Sequence, residues 1–326
     1  MPRCSLGGVR EVITDLSRIN RSNGEHHFFI GIMNSISLLI LSKESCGLST
    51  CTTRYLLAMT TADLLVIITE VVLNRINDYY FPLNFLKITP VCSVRYVLLR
   101  AATDCSVWFT VTFTFDRFIA ICCPKVKSKY CTNKTATVIL LTTGILLFLK
   151  NIPIYFRFRP RRIINNIPWR CSNRPVYFTD SRWIGFRTFE KVLTPLIPFG
   201  LILLLNGVTV RYILVASRIR KRLKCHSKGD SGSESRRKSI ILLFTISGSF
   251  ILLWFIYILF FFDFDELLDG PSGYMFENFA YMLRNLSCCT NTFIYVVTQS
   301  QFREQLKLTL TYPLTLVTAF IKKQSS

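Results

Sequence analysis

Seven long apolar runs limit the fold of this chain more than any other feature of its sequence. They cover approximately residues 26–42, 54–73, 91–121, 135–156, 189–215, 239–262 and 275–298. Most approach the ~20 residues that a helix needs to cross ~30 Å of hydrocarbon. Inside a bilayer a helix satisfies every backbone hydrogen-bonding group within its own segment. The runs therefore predict an all-α membrane protein, folded as a bundle of seven transmembrane helices.

The bundle leaves a segment at each end of the chain. We expect residues 1–25 to form an extracellular tail, residues 26–298 the bundle, and residues 299–326 an amphipathic helix with a short cytoplasmic tail. The first span is the weakest, because only residues 28–42 form an uninterrupted apolar stretch.

The tail helix is predicted from a repeat of apolar residues. Phe302, Leu306 and Leu310 recur at every fourth position, while Arg303 and Lys307 flank them. This pattern places one apolar stripe along the inner leaflet and the charges at the lipid headgroups.

The basic residues predict the orientation and exclude one class of partner. The net charge is +21, and Lys and Arg concentrate at 125–134 and 218–238. Such loops face the cytoplasm and the anionic inner leaflet, so we expect a plasma-membrane protein with its N-terminus outside. The predicted outer loop 157–190 opposes this with eight arginines. Nucleic acid is excluded as a partner, because the basic residues lie in separate loops between spans.

The twelve cysteines do not suggest a disulfide framework, because most lie in the membrane or on the reducing side. Cys4, Cys92 and Cys171 fall on the outer side. Cys92 opens the third helix and Cys171 lies in the long second outer loop, so we expect these two to be bridged; the alternative is two free thiols. Asn20 begins an Asn-Arg-Ser triplet in the outer tail and is the predicted glycosylation acceptor.

The third run contains a charged pair, Asp116-Arg117, within TFTFDRFIAICC. A charge at the bilayer centre is costly. Cys92 and Arg117 are 25 residues apart, which is about 37 Å of helix. If Cys92 lies at the outer surface, the pair therefore lies at the cytoplasmic edge, where Arg117 contacts either water and headgroups or a partner protein.

Residues in the other spans help to decide whether Arg117 contacts water and headgroups or a partner protein. The set consists of Asn34 in the first run, Asp63 in the second, Pro198 in the fifth, Trp254 in the sixth, and NTFIY, Asn291 to Tyr295, in the seventh. With Cys92 and the Asp116-Arg117-Phe118 variant of the DRY motif, it resembles the rhodopsin-like (class A) G-protein-coupled receptors over about residues 28–310. FTFDRFIAICC, PWRC and SGSFILLW look most like the orphan group around probable G-protein coupled receptor 139. That group is linked to small peptides or aromatic amino acids as ligands.

The resemblance implies roles at both ends of the bundle. Asp116, Arg117, Asn291 and Tyr295 would couple to a heterotrimeric G protein. A polar network would surround a sodium ion, with Asp63 as its carboxylate and Asn34, Ser106, Ser287 and Asn291 as neighbours. Carboxylate, hydroxyl and amide oxygens suit a hard cation, and the alternative is a water-filled network. No other cofactor is expected.

A ligand pocket is predicted near the outer surface. Its candidate residues are Glu70, Arg95, Arg100, Asp104, Trp254 and Arg284. Arg100 and Asp104 are one helical turn apart and can pair, and Glu70 can pair with Arg284 across helices. The alternative is that all these charges form internal ion pairs.

The charged residues of the outer loops suggest which class of ligand the pocket binds. Arg170 and Arg174 flank Cys171, and a bridge to Cys92 would draw them over the cavity mouth. They favour an anionic ligand. The acidic third outer loop, with Asp263, Asp265, Glu266 and Asp269, extends this to a zwitterionic peptide or amino acid. The alternatives are that the arginines are solvated surface charge or that the two loops pair with each other.

These observations predict a receptor that binds an extracellular ligand and then activates a G protein. An enzyme is disfavoured, because the three histidines lie outside span centres and no HExxH, GxSxG or phosphate-binding loop is present. The alternative is a transporter or a non-signalling seven-helix protein. A transporter typically shows an internal repeat, which we do not find. Ile256 and Thr292 replace the prolines that make hinges in the family, and these departures favour the non-signalling alternative.

Overall fold

The structure is a computed structural model that describes residues 31–43, 48–76, 84–223, 231–262, 271–309 and 311. The predicted glycosylation site at Asn20, the outer tail, the acidic third outer loop and Leu310 lie outside the described residues.

Seven helices form a bundle, and an eighth follows them. They are α1 (Gly31–Ser42), α2 (Thr50–Asn74), α3 (Thr89–Cys122), α4 (Asn133–Asn151), α5 (Ser181–Lys191, Val192–Leu196 and Ile197–Leu223), α6 (Ser231–Phe261), α7 (Pro271–Thr298) and α8 (300–309). In the described chain, α2 to α6 contain apolar segments long enough to cross a membrane. The described part of α1 is shorter, and α7 carries too many polar residues to meet the same criterion.

Helix α3 lies at the centre of the bundle and packs against α2, α4, α5 and α6. One core cluster, built around Tyr55 and Phe113, contains residues of α1, α2, α3, α4, α6, α7 and α8. A second cluster, with Trp254 and Tyr257, contains residues of α3, α5, α6 and α7. Each end of α3 therefore meets several helices, which allows both ends to carry a site.

The second outer loop, predicted as a loop, contains an antiparallel hairpin. Strands β1 (Phe158–Ile164) and β2 (Ile167–Asn173) pair so that Ile164 lies opposite Ile167. The turn residues Asn165 and Asn166 have φ values of 51° and 62°. Asn tolerates this left-handed conformation better than most residues, and a tight two-residue hairpin turn requires it.

The fifth helix begins at Ser181, eight residues before the predicted apolar run. Asp180 caps it, because its Oδ1 accepts a hydrogen bond from the backbone N–H of Arg182 at 2.8 Å. The Arg182 side chain also donates to Asp180, and these hydrogen bonds lower the pKa of that carboxyl. A side-chain cap of this kind marks a helix start that hydropathy alone does not reveal.

Helix α8 packs Phe302 against the bundle. Phe302 is 1% exposed and contacts the ring of Tyr295 with the centroids 5.7 Å apart. Arg303 donates to the carbonyls of Val296 and Val297 at the end of α7. The bundle therefore holds Phe302 of the predicted stripe, and the position of the helix along the inner leaflet stays a prediction.

Candidate functional site

Arg117 is enclosed by hydrogen bonds at one end of α3, which we call the inner end after the predicted orientation. Its Nε donates to Asp116 Oδ2 at 3.0 Å, its Nη2 contacts the same oxygen, and its Nη1 donates to Ser239 Oγ of α6 at 3.2 Å. Cys51 of α2 lies 3.4 Å from Asp116 Oδ1. Arg117 is 7% exposed and Asp116 is fully buried. The pair therefore connects α2, α3 and α6 and does not extend into the headgroups.

Midway along the bundle, Asp63 accepts a hydrogen bond at each carboxylate oxygen. Ser106 Oγ lies 2.5 Å from Oδ1, and Asn291 Nδ2 lies 2.8 Å from Oδ2. Ser287 instead accepts from Trp254 Nε1 at 3.1 Å. The carboxylate and the Ser106 hydroxyl are suitable oxygen ligands for sodium. The binding of that ion stays a prediction.

Thr292, which stands where the family has proline, links α7 to α1. It donates to Asn34 Oδ1 at 3.2 Å and accepts from Ser37 Oγ at 2.8 Å. Asn34 and Thr292 are each 1% exposed and Ser37 is fully buried. The residue that replaces a helix-kinking proline thus ties two helices together, and Asn34 binds Thr292 rather than Asp63.

A cavity of about 460 Å³ opens in the outer half of the bundle. Three of the predicted pocket residues line it: Glu70, Arg100 and Arg284. The other described lining residues are Asn74, Tyr96, Leu99, Thr103, Ile154, Arg157, Tyr177, Phe178, Arg187, Glu190, Lys191, Tyr257, Phe260 and Tyr281. The cavity therefore lies between α2, α3, α5, α6 and α7 and the segment that leads into the hairpin.

Three predicted pocket residues do not line this cavity. Arg95 donates to the carbonyl of Leu73 at 2.6 Å. Asp104 turns towards α4, and Trp254 packs lower, with its ring stacked on Phe250 at 5.2 Å. Spacing along a helix gives the depth of a residue but not the side of the helix on which its partner lies.

The predicted pair of Arg100 and Asp104 is replaced by an ion-pair network between helices. Lys150 Nζ of α4 lies 2.6 Å from Asp104 Oδ2 and 3.6 Å from Glu190 Oε1 of α5. Arg100 Nη2 lies 3.4 Å from Glu190 Oε2, and Asn151 Nδ2 donates to Asp104 at 2.7 Å. These contacts connect α3, α4 and α5 near the outer surface.

The predicted pair of Glu70 and Arg284 is present, with Nη2 3.8 Å from Oε1. The Arg284 guanidinium carbon lies 5.2 Å from the ring centroid of Tyr257 and 4.9 Å from that of Tyr281. The side chains of Glu70 and Arg284 are 8% and 5% exposed. The ion pair therefore joins α2 to α7 beside the cavity.

The predicted disulfide between Cys92 and Cys171 is present and joins α3 to β2. Thr89 donates to the carbonyl of Arg170 at 3.0 Å, which also holds the hairpin against α3. Arg170 and Arg174 do not line the cavity: Arg174 Nε donates to the Phe158 carbonyl at 3.0 Å. Arg157 and Arg187 occupy the wall, and a place for Arg170 and Arg174 over the mouth stays a prediction.

Comparison with known proteins decides the family. The sequence matches the family model for "7 transmembrane receptor (rhodopsin family)" over residues 33–295, most of the chain. The chain belongs to the rhodopsin family of seven-transmembrane receptors. This confirms the predicted class and the seven-helix fold, and the family is one of receptors rather than enzymes.

Curated relatives of this receptor are peptide receptors by name. It is 26% identical to the neuropeptide S receptor of Rattus norvegicus over 245 residues, which is 72% of this chain and 63% of that receptor. It is 24% identical to the neuromedin U receptor homolog nmur-2 of Caenorhabditis elegans over 143 residues, which is 43% of this chain and 34% of that protein. The chain thus spans less than two thirds of either relative. Neither belongs to the orphan group that the motifs resemble, so that closer assignment stays a prediction.

Proposed function

We propose that this receptor lies in the plasma membrane with its N-terminus outside, binds a small peptide or amino-acid-like ligand in the outer cavity, and activates a heterotrimeric G protein. The enclosure of Arg117 by Asp116 and Ser239 carries this proposal. It holds the inner ends of α3 and α6 together, and it would have to open before Arg117 could contact a G protein.

The cavity supports a ligand-controlled opening of that contact. Its wall takes residues from five helices, including Tyr257 of α6 and Tyr281 of α7. A ligand that contacts several helices can favour one of two packings if it binds one of them better. Trp254 lies one turn from Tyr257 and packs on it with the ring centroids 5.3 Å apart. A shift of α6 at the cavity can therefore reach the inner half of the bundle.

The size of the cavity and the relatives support the ligand class. About 460 Å³ is within the usual range for small-molecule pockets. The neuropeptide S receptor and the neuromedin U receptor homolog are peptide receptors by name. A whole peptide exceeds this volume, so a peptide ligand would insert one end.

A non-signalling seven-helix protein remains the second candidate, and Thr292 is the observation that favours it. Its hydrogen bonds to Ser37 and Asn34 fasten α7 to α1 where the family has a hinge. If this contact does not release, the inner end of α7 cannot rearrange.

A G-protein nucleotide-exchange assay separates the two candidates. Membranes that contain the receptor would be screened with peptide and amino-acid libraries for stimulated binding of GTPγS. We expect at least one stimulating ligand, whose effect disappears in Arg117→Ala and persists in Arg159→Ala, an outer-hairpin control with the same charge loss. Surface expression of both variants is measured in parallel. Stimulation that survives in Arg117→Ala would contradict the proposed coupling role.

A further inference from the structure

The charged groups that line the outer cavity do not balance one another. The described lining carries five basic residues and two acidic ones. Glu190 pairs with Arg100, and Glu70 pairs with Arg284. Arg157 and Arg187 belong to neither pair.

The excess charge is located most clearly on Arg157 and Arg187. Among the described residues, neither guanidinium lies within ion-pair distance of a carboxylate. Arg157 Nε donates to the neutral amide oxygen of Asn173 at 2.8 Å. Both side chains are half-buried, so water screens their charge less than it would at an open surface.

Tyr177 holds the two guanidinium groups beside the same ring. The guanidinium carbon of Arg157 lies 4.1 Å from the Tyr177 ring centroid, and that of Arg187 lies 5.5 Å from it. Tyr177 is 6% exposed and therefore fixed in position. A guanidinium that contacts an aromatic ring through its face keeps N–H groups at its edge for a planar oxygen pair.

This arrangement suits a carboxylate. The two arginines beside one ring place two sets of N–H donors in this part of the wall, and charge-assisted hydrogen bonds from such donors to a carboxylate are the stronger ones. The rest of the wall includes aromatic residues, among them Tyr96, Phe178 and Phe260. It can receive the apolar side chain that neighbours a carboxylate at the end of a peptide.

We propose that Arg157 and Arg187 form a subsite for the free C-terminal carboxylate of a peptide ligand. This inference rests on the proposed function, because it assigns a ligand group to the same cavity. The end of the chain fits better than a carboxylate within it, since a cavity of this volume admits only a few residues.

Binding to the purified full-length receptor in lipid nanodiscs tests the subsite. The probes are N-acetylated dipeptides that differ in their last residue, each prepared as a free acid and as a C-terminal amide, and ligand-observed NMR measures their binding. We expect at least one acid to bind tenfold or more tightly than its amide. Arg187→Gln should reduce the affinity for that acid by a similar factor, because the variant loses a charged donor. Arg187→Lys should fall between the two.

The matched control is Arg159→Gln, which removes the same charge from an exposed position on β1. It should change the affinity for the acid far less than Arg187→Gln does, because it alters only the distant field that the ligand meets on its approach. Equal binding of acids and amides, unchanged binding in Arg187→Gln, or no binding by any acid at 10 mM would each overturn the subsite. Arg157→Gln is a second variant, and its surface expression shows whether the lost contact to Asn173 disturbs the hairpin.

The same probes distinguish this inference from the proposed function. An acid that binds through Arg187 and yet never stimulates nucleotide exchange would contradict the signalling role and leave the subsite intact. Amides that stimulate exchange as strongly as acids would contradict the subsite and leave the signalling role intact.

Discussion

Replacing Lys150 by Met removes the cation that two buried carboxylates share. Lys150 Nζ lies 2.6 Å from Asp104 and 3.6 Å from Glu190, whose side chains are 7% and 6% exposed. The Met side chain has a similar length and apolar stem, so packing changes little. The variant therefore tests the charge and not the volume.

The expected loss follows from the partners that remain. Breaking a buried ion pair by removing one member costs about 3–5 kcal/mol, because the other charge is left uncompensated. Asp104 would keep the hydrogen bond from Asn151, and Glu190 would keep Arg100. We therefore expect the lower end of the range, about 3 kcal/mol of unfolding free energy.

A second substitution tests whether the loss of stability comes from the unpaired charge of Asp104 or from altered packing around residue 150. In Asp104→Asn combined with Lys150→Met, no charge of this pair is left without its partner. Because replacing both members of a buried pair is often nearly neutral, we expect the double variant to lie within about 1 kcal/mol of the wild type.

Unfolding is measured on purified protein in mixed micelles with increasing SDS, using a thiol-reactive dye. Cys51, Cys288 and Cys289 are buried, so their labelling reports loss of the bundle. Lys134→Met, an exposed position on the same helix, is the control. If Lys150→Met unfolds like Lys134→Met, or if the double variant is no more stable than Lys150→Met, the ion pair does not stabilise the bundle.

Three further predictions concern the inner half. Ser239→Ala removes one hydrogen bond from Arg117, worth about 1 kcal/mol, so basal nucleotide exchange should rise about fivefold. Unchanged exchange would show that Ser239 does not help to hold Arg117 in its enclosed position. Thr292→Val leaves Ser37 and Asn34 without their partner and should lower the unfolding free energy by about 1–3 kcal/mol; equal stability in the SDS titration would argue against the tie between α7 and α1. Phe302→Asp buries a charge and should reduce surface expression, measured by antibody labelling, whereas Leu308→Asp at an exposed site should not; equal expression of the two would refute the packing of α8.

The level of some residues along the bundle axis could be predicted from the sequence. A helix advances by a constant rise per residue, so the position of Cys92 at the outer surface places Arg117 at the inner edge. The family resemblance, and not the helix rise, grouped Asp63 with Asn291, and the structure joins them at 2.8 Å. The disulfide between Cys92 and Cys171 followed from topology alone.

The rotation of each helix about its axis could not be predicted in the same way. Asp104 was expected to pair with Arg100 one turn away and instead pairs with Lys150, 46 positions along the chain. Such a pairing depends on how α3 and α4 face each other, which no local pattern specifies. The hairpin is a different case, because Asn165-Asn166 between two isoleucines is a turn signal that the hydropathy argument did not use.

The hairpin has a consequence for the kinetics of ligand capture. The arginines at positions 159, 161 and 162 are exposed on β1 and do not line the cavity, yet the disulfide and Thr89 hold their hairpin against the outer end of α3. For an anionic ligand, charges outside the contact surface act on diffusional encounter more than on the bound complex. Removing them should slow association, most clearly at low ionic strength, and leave dissociation unchanged. The hairpin would then set how fast the receptor responds, while the cavity wall sets how long the ligand stays.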